Sequence, residues 1–133
     1  LKPDEAVAIG RAIFEAGIEA IEVPLNSPDP FSSIARIVEA LPATALVGAG
    51  TVLTPADVDG LQKAGGRLLV SPDMLVGAVG GVSEKDFAGY KAAGVNVFGL
   101  GSSLFKPDMS VDEVAARANA ATAAWDAAFG AAR

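Results

Sequence analysis

Glu22 is the residue best placed to do chemistry. It lies inside Ile18-Glu19-Ala20-Ile21-Glu22-Val23-Pro24-Leu25-Asn26-Ser27-Pro28, an apolar, partly β-branched stretch that reads as a strand. Strand alternation puts Ile21, Val23 and Leu25 on one face and Ala20, Glu22 and Pro24 on the other. A carboxylate in mid-strand is costly unless it has a partner or a task. The choice is between a structural charge, paired with an Arg or Lys or facing solvent at an edge, and a proton-transfer group. With no His and no Cys in the chain, acid–base work falls to carboxylates, Lys or Tyr.

Three more clusters offer chemistry. In Gly48-Ala49-Gly50-Thr51-Val52, small residues allow a ligand or a backbone to come close, and Thr51 puts a hydroxyl at a strand's C-terminal end. Tight strand-on-helix packing explains the glycines equally well. Val79-Gly80-Gly81-Val82 and Gly99-Leu100-Gly101-Ser102-Ser103 are successive strand-to-helix turns whose N–H groups could converge on an anion. Lys106 follows closely, as an added charge or a solvated one. The five lysines, Lys2, Lys63, Lys85, Lys91 and Lys106, all fall in expected helices or loops. An imine-forming Lys is expected inside an apolar strand, and none is there.

The elements that must position these groups follow a repeated rhythm. The first helix is expected over residues 3–16, with Pro3 in the first turn, Asp4 and Glu5 behind it, and Gly17 at the stop. A strand over 20–25 follows, then a helix over 31–41 with Ile34, Ile37, Val38 and Leu41 at helical spacing. The next strand covers 45–52. Thr54, Pro55 and Asp57 start a helix that ends near Gly65-Gly66. Strands are expected over 67–70, 75–79 and 95–100. Ser83-Glu84-Lys85-Asp86 caps a helix stopping at Gly94, and Ser110 with Glu113 boxes the start of an Ala-rich helix to about Phe129. This loose βα repeat implies an α/β fold with parallel strands and sites at their C-terminal ends.

The rhythm breaks once. Only Ser71-Pro72-Asp73-Met74 separates two expected strands, whereas parallel neighbours need a crossover of about a dozen residues. Either the two form an antiparallel hairpin or a segment is missing at 73–75. The chain starts at Leu1 without Met, which is expected of a processed or truncated chain.

Composition bounds the function. The chain has 133 residues, enough for one domain, here expected over 1–133. It is 51% hydrophobic and 20% charged, as a soluble globular protein is. A net charge of −6 argues against nucleic acid. No apolar run is long enough for a bilayer, so no membrane partner and a cytoplasmic location are expected. No metal site is expected.

In order, Glu22-Val23-Pro24-Leu25-Asn26-Ser27-Pro28, Gly48-Ala49-Gly50-Thr51-Val52, Ser71-Pro72-Asp73, Val79-Gly80-Gly81-Val82 and Gly99-Leu100-Gly101-Ser102-Ser103-Leu104 resemble the 2-keto-3-deoxy-6-phosphogluconate/phosphogalactonate aldolases. The Pro24-Leu25-Asn26-Ser27-Pro28 segment looks more like the phosphogalactonate branch. The gluconate branch usually shows Thr-Leu-Arg-Thr there. The resemblance implies a (β/α)8 TIM barrel, a homotrimer, no cofactor, and class I cleavage of a phosphorylated keto-deoxy sugar acid to pyruvate and glyceraldehyde 3-phosphate. It makes Glu22 the general acid/base, puts Thr51 and Pro72 at the substrate, and makes Gly80, Gly81, Gly101 and Ser102 a phosphate cradle. The family's imine-forming Lys lies in a Lys-Xaa-Phe-Pro motif that this chain lacks, and its place falls at the topological break. The barrel is therefore expected to be incomplete, and the chain by itself inactive. The rival readings are a gluconate-specific aldolase, a non-catalytic phosphate-binding remnant, and another phosphate-binding barrel enzyme such as an epimerase or isomerase.

Overall fold

In the computed structural model, residues 1–70, 82–92 and 97–130 are described, together with the backbone of residues 78–79. The element order is α1 (Pro3–Glu15), β1 (Ala20–Pro24), α2 (Pro30–Ala40), β2 (Leu46–Gly50), α3 (Pro55–Lys63), β3 (Leu68–Leu69), β4 (Ala78–Val79), α4 (Phe87–Ala92), β5 (Phe98–Gly99) and α5 (Val111–Phe129). The chain divides into two compact units, Leu1–Leu75 and Val76–Arg133.

In the first unit β1, β2 and β3 form a parallel sheet in that order. The register pairs Glu22 with Gly48, Pro24 with Gly50, and Gly48 with Leu68. Ile21, Val23, Val47 and Ala49 are buried, and Val23, Val47 and Ala49 form one cluster with Ala6, Ile34, Ile37 and Leu61 from the three helices. The helices thus cover one face of the sheet. The opposite face, with Ala20, Glu22 and Pro24 beside Leu46, Gly48 and Gly50, carries no helix among the described residues of this unit. α1 and α2 form where the sequence spaces apolar residues at helical intervals, and Ile34 and Ile37 are almost wholly enclosed. Arg67 ties the entry to β2 by donating to the carbonyls of Ala43 and Ala45, the latter at 2.7 Å.

α3 starts as the residue pattern requires. The Asp57 N–H donates to Thr54 Oγ1 at 3.2 Å, and the Thr54 N–H donates back to the Asp57 carboxylate at 2.9 Å. Ser110 and Glu113 repeat that box at α5. α4 differs. It begins at Phe87, after a turn that the Asp86 N–H closes on the Ser83 carbonyl at 3.0 Å; Ser83 also gives its N–H and its Oγ–H to the Asp86 carboxylate, at 2.8 and 2.9 Å.

In the second unit β4 and β5 pair in parallel, Val79 opposite Gly99. Each is described over two residues, and residues 75–77 and 95–96 of the strands expected over 75–79 and 95–100 lie outside the described residues. Rings hold this unit together. Phe98 lies 4.8 Å from Phe87 and 5.7 Å from Trp125, and Trp125 stacks on Phe129 at 4.1 Å. Val114, Ala118 and Ala121 make the buried stripe of α5.

Candidate functional site

β1 places Glu22 as its alternation requires, on the face opposite Val23. The side chain is exposed by surface area, unlike the buried charge a sheet interior would give. The sheet beneath it still withdraws enough water to raise its pKa above the ordinary carboxylate value, desolvation being the cause. Among the described residues Glu22 has no hydrogen-bond or ion-pair partner. A structural salt bridge therefore does not explain it within the described residues.

The two glycines of β2 serve different purposes. A Cβ on Gly48 would run into the Leu68 backbone carbonyl, so Gly48 lets β3 come close. A Cβ on Gly50 would stand 2.5 Å from the Glu22 Cδ and 2.9 Å from its Oε1. The Glu22 carboxyl group, which starts opposite Gly48, thus leans along the strands to lie over Gly50.

Thr51 comes next, exposed and with φ at +59°. For a β-branched residue that is a true outlier, and it persists only where neighbours over-determine the backbone. They do so here. The Gly50 carbonyl accepts from the Leu25 N–H at 3.0 Å, and the Val52 N–H donates to the Val70 carbonyl at 3.2 Å. The peptide is pinned on both sides of Thr51, by the residue after β1 and by the one after β3. Nothing in the sequence marks this strain, because a Thr after a strand is ordinary.

In the second unit, Gly101 and Ser102 are exposed in the turn after β5. The Gly101 carbonyl accepts from the N–H groups of Leu104 and Phe105 at 2.9 and 3.0 Å. Parallel pairing of Val79 with Gly99 brings the C-terminal ends of β4 and β5 side by side. Pro72, Gly80 and Gly81 lie outside the described residues, so their expected roles stay with the sequence. The arrangement joins Glu22 with Gly50 and Thr51 at the C-terminal end of one sheet. The Gly101-Ser102 turn belongs to the other unit.

No lysine lies on a described strand. Lys91 is committed elsewhere: it donates to the Ala128 carbonyl at 2.6 Å, near the C-terminus of α5, and lies 5.2 Å over the Phe129 ring. Among the described residues no three acidic side chains gather as a cation site.

Residues 2–88 match the aldolase family described as KDPG and KHG aldolase. The chain belongs to the KDPG and KHG aldolase family. It is 40% identical to a probable 2-dehydro-3-deoxy-6-phosphogalactonate aldolase of Rhizobium meliloti, over 98% of this chain and 90% of that protein. It is 31% identical to the 2-dehydro-3-deoxy-6-phosphogalactonate aldolase of Escherichia coli, over 94% of this chain and 90% of that protein. The alignment to the Rhizobium meliloti protein runs over 190 positions, more than the 133 residues present here, so that protein has several dozen residues without a counterpart in this chain. A solved structure described as native KDPGal shares 31% identity with a TM-score of 0.89, covering 96% of this chain and 93% of its own. The KDPG/KHG aldolase family thus agrees with the parallel α/β architecture and the aldehyde-lyase class.

Proposed function

We propose that the intact protein to which these residues correspond is a class I aldolase that cleaves 2-dehydro-3-deoxy-6-phosphogalactonate to pyruvate and glyceraldehyde 3-phosphate. The observation that carries this reading is the Glu22 carboxyl group, unpaired among the described residues and partly desolvated, lying over Gly50 beside the strained Thr51. It lies within the stretch matched to the aldolase family. The galactonate choice is supported by coverage. The two phosphogalactonate relatives align along nearly the whole chain, whereas the KHG/KDPG aldolase of Escherichia coli aligns over 55% of it.

In this mechanism a Lys amine adds to the C2 keto carbon of the substrate. Glu22, through a water molecule, moves the protons that turn the adduct into an iminium with loss of water. The C4 hydroxyl gives up its proton, the C3–C4 bond breaks, and its electron pair flows into the iminium. That leaves glyceraldehyde 3-phosphate and an enamine. Protonation of the enamine at C3 and hydrolysis release pyruvate and the amine. Thr51 is the hydroxyl donor to the pyruvate carboxylate, and Pro72 is read as a further substrate-binding residue. Gly80, Gly81, Gly101 and Ser102 hold the substrate phosphate through backbone N–H groups and a hydroxyl.

The Lys belongs to a segment absent at about 73–75, within an incomplete (β/α)8 barrel that is a single domain when whole. The excess of aligned positions over residues supports that reading, as does the short spacing between β3 and β4. The intact protein is read as a cytoplasmic homotrimer working without a cofactor, and no described helix is long and apolar enough to cross a membrane.

Borohydride trapping with pyruvate tests the reading. A covalent adduct is expected on the intact protein and none on the 133-residue chain. An intact protein that cleaves the substrate without ever giving an adduct would sink the class I mechanism. Glu22→Gln in the intact protein is expected to slow cleavage by about 10²–10⁴-fold, and full activity would remove Glu22 from the mechanism.

A further inference from the structure

We propose that Gly50 is a positioning residue: by lacking a side chain it provides the seat in which the Glu22 carboxyl group lies, aimed at the C-terminal end of the sheet. The proposal rests on the reading of Glu22 as the proton-transfer group.

The geometry separates this role from ordinary strand packing. The three nearest atoms to a Cβ on Gly50 are all in the Glu22 carboxyl group, whereas those nearest a Cβ on Gly48 are all in the Leu68 backbone. One glycine makes room for a neighbouring strand and the other for a functional group. A backbone obstacle cannot move without breaking the β2–β3 ladder. A carboxyl group at the end of a flexible side chain can swing away. Gly50→Ala should therefore fold while displacing the carboxyl group, and Gly48→Ala should destabilise the sheet.

Displacement has an electrostatic consequence. On the face around Glu22 the neighbours are Ala20 and Pro24 on β1, Gly48 and Gly50 on β2, and Leu68 on β3. None of these titrates or carries charge. Burial against these groups is what desolvates the carboxyl group, so lifting it off Gly50 returns it to water.

The test is a ¹³C NMR titration of the Glu22 carboxyl carbon in the 133-residue chain, with and without Gly50→Ala. The expected result is a folded variant whose Glu22 midpoint falls toward the ordinary carboxylate value. An unchanged midpoint in a folded variant overturns the proposal. If Gly50→Ala does not fold, Glu22→Ala is added to it. Recovery of the fold supports the seat, because it identifies the carboxyl group as the obstacle. Failure to recover overturns it. The titration does not depend on turnover. If Glu22→Gln kept full cleavage activity, the acid/base role would fall while the seat stood. An unmoved midpoint removes the seat and leaves the role.

Discussion

Glu22 and Gly48 are opposed residues of the β1–β2 ladder, and the glycine gives the carboxylate no side chain to meet across the strands. The charge therefore has neither a partner among the described residues nor full hydration. Folding raises its pKa, so the folded state favours the protonated form. The stability linked to Glu22 is fully present below the unfolded-state value near 4.5 and is lost as pH rises through the higher folded-state value. Glu22→Gln keeps the shape and removes the titration. The variant is expected to be more stable than the parent at pH 7–8, with the gain disappearing below about pH 4. Urea denaturation at several pH values checks this, and a gain of equal size at all pH values would contradict it.

Thr51 holds a conformation that glycine adopts freely. Thr51→Gly is expected to relieve strain of roughly 1–2 kcal/mol, offset in part by the greater freedom of the unfolded chain. If Thr51 meets the substrate, the same change weakens pyruvate binding in the intact protein. Denaturation midpoints and pyruvate titrations read the two effects separately. Loss of stability on Thr51→Gly would refute the strain.

The capping boxes titrate with the opposite sign to Glu22. Hydrogen bonds from Leu53 and Thr54 hold the Asp57 pKa below its ordinary value, and those from Ser110 do the same for Glu113. Their contributions are present above the ordinary carboxylate values and are lost as pH falls through the lowered ones. Thr54→Ala and Ser110→Ala are each expected to cost about 1 kcal/mol near neutral pH. Thermal melts should show that difference shrinking in acid.

Ile34 is completely enclosed, whereas Leu53 is 68% exposed. Ile34→Ala is expected to cost about 2–5 kcal/mol, with the cavity it leaves setting the value. Leu53→Ser should stay within about 0.5 kcal/mol. Equal losses at the two sites would mean that the buried cluster of the first unit is misassigned.

The sequence by itself determined much of this protein. Pro3, Thr54 and Ser110 marked three helix starts because capping and proline chemistry are local. Alternation put Glu22 opposite Val23, because the side-chain period of a strand is fixed by covalent geometry. The order of the motifs carried the family. Other features required the tertiary structure. α4 starts at Phe87, after a turn that the Asp86 N–H closes on the Ser83 carbonyl, and the patterns for a cap and for a turn are alike in sequence. Gly48 and Gly50 look equivalent in Gly48-Ala49-Gly50-Thr51, yet one admits a strand and the other a carboxyl group. Only the register across β1, β2 and β3 distinguishes them. The strain at Thr51 arises from hydrogen bonds to residues that follow two other strands. Backbone groups distant in sequence set that geometry, so no local pattern could announce it.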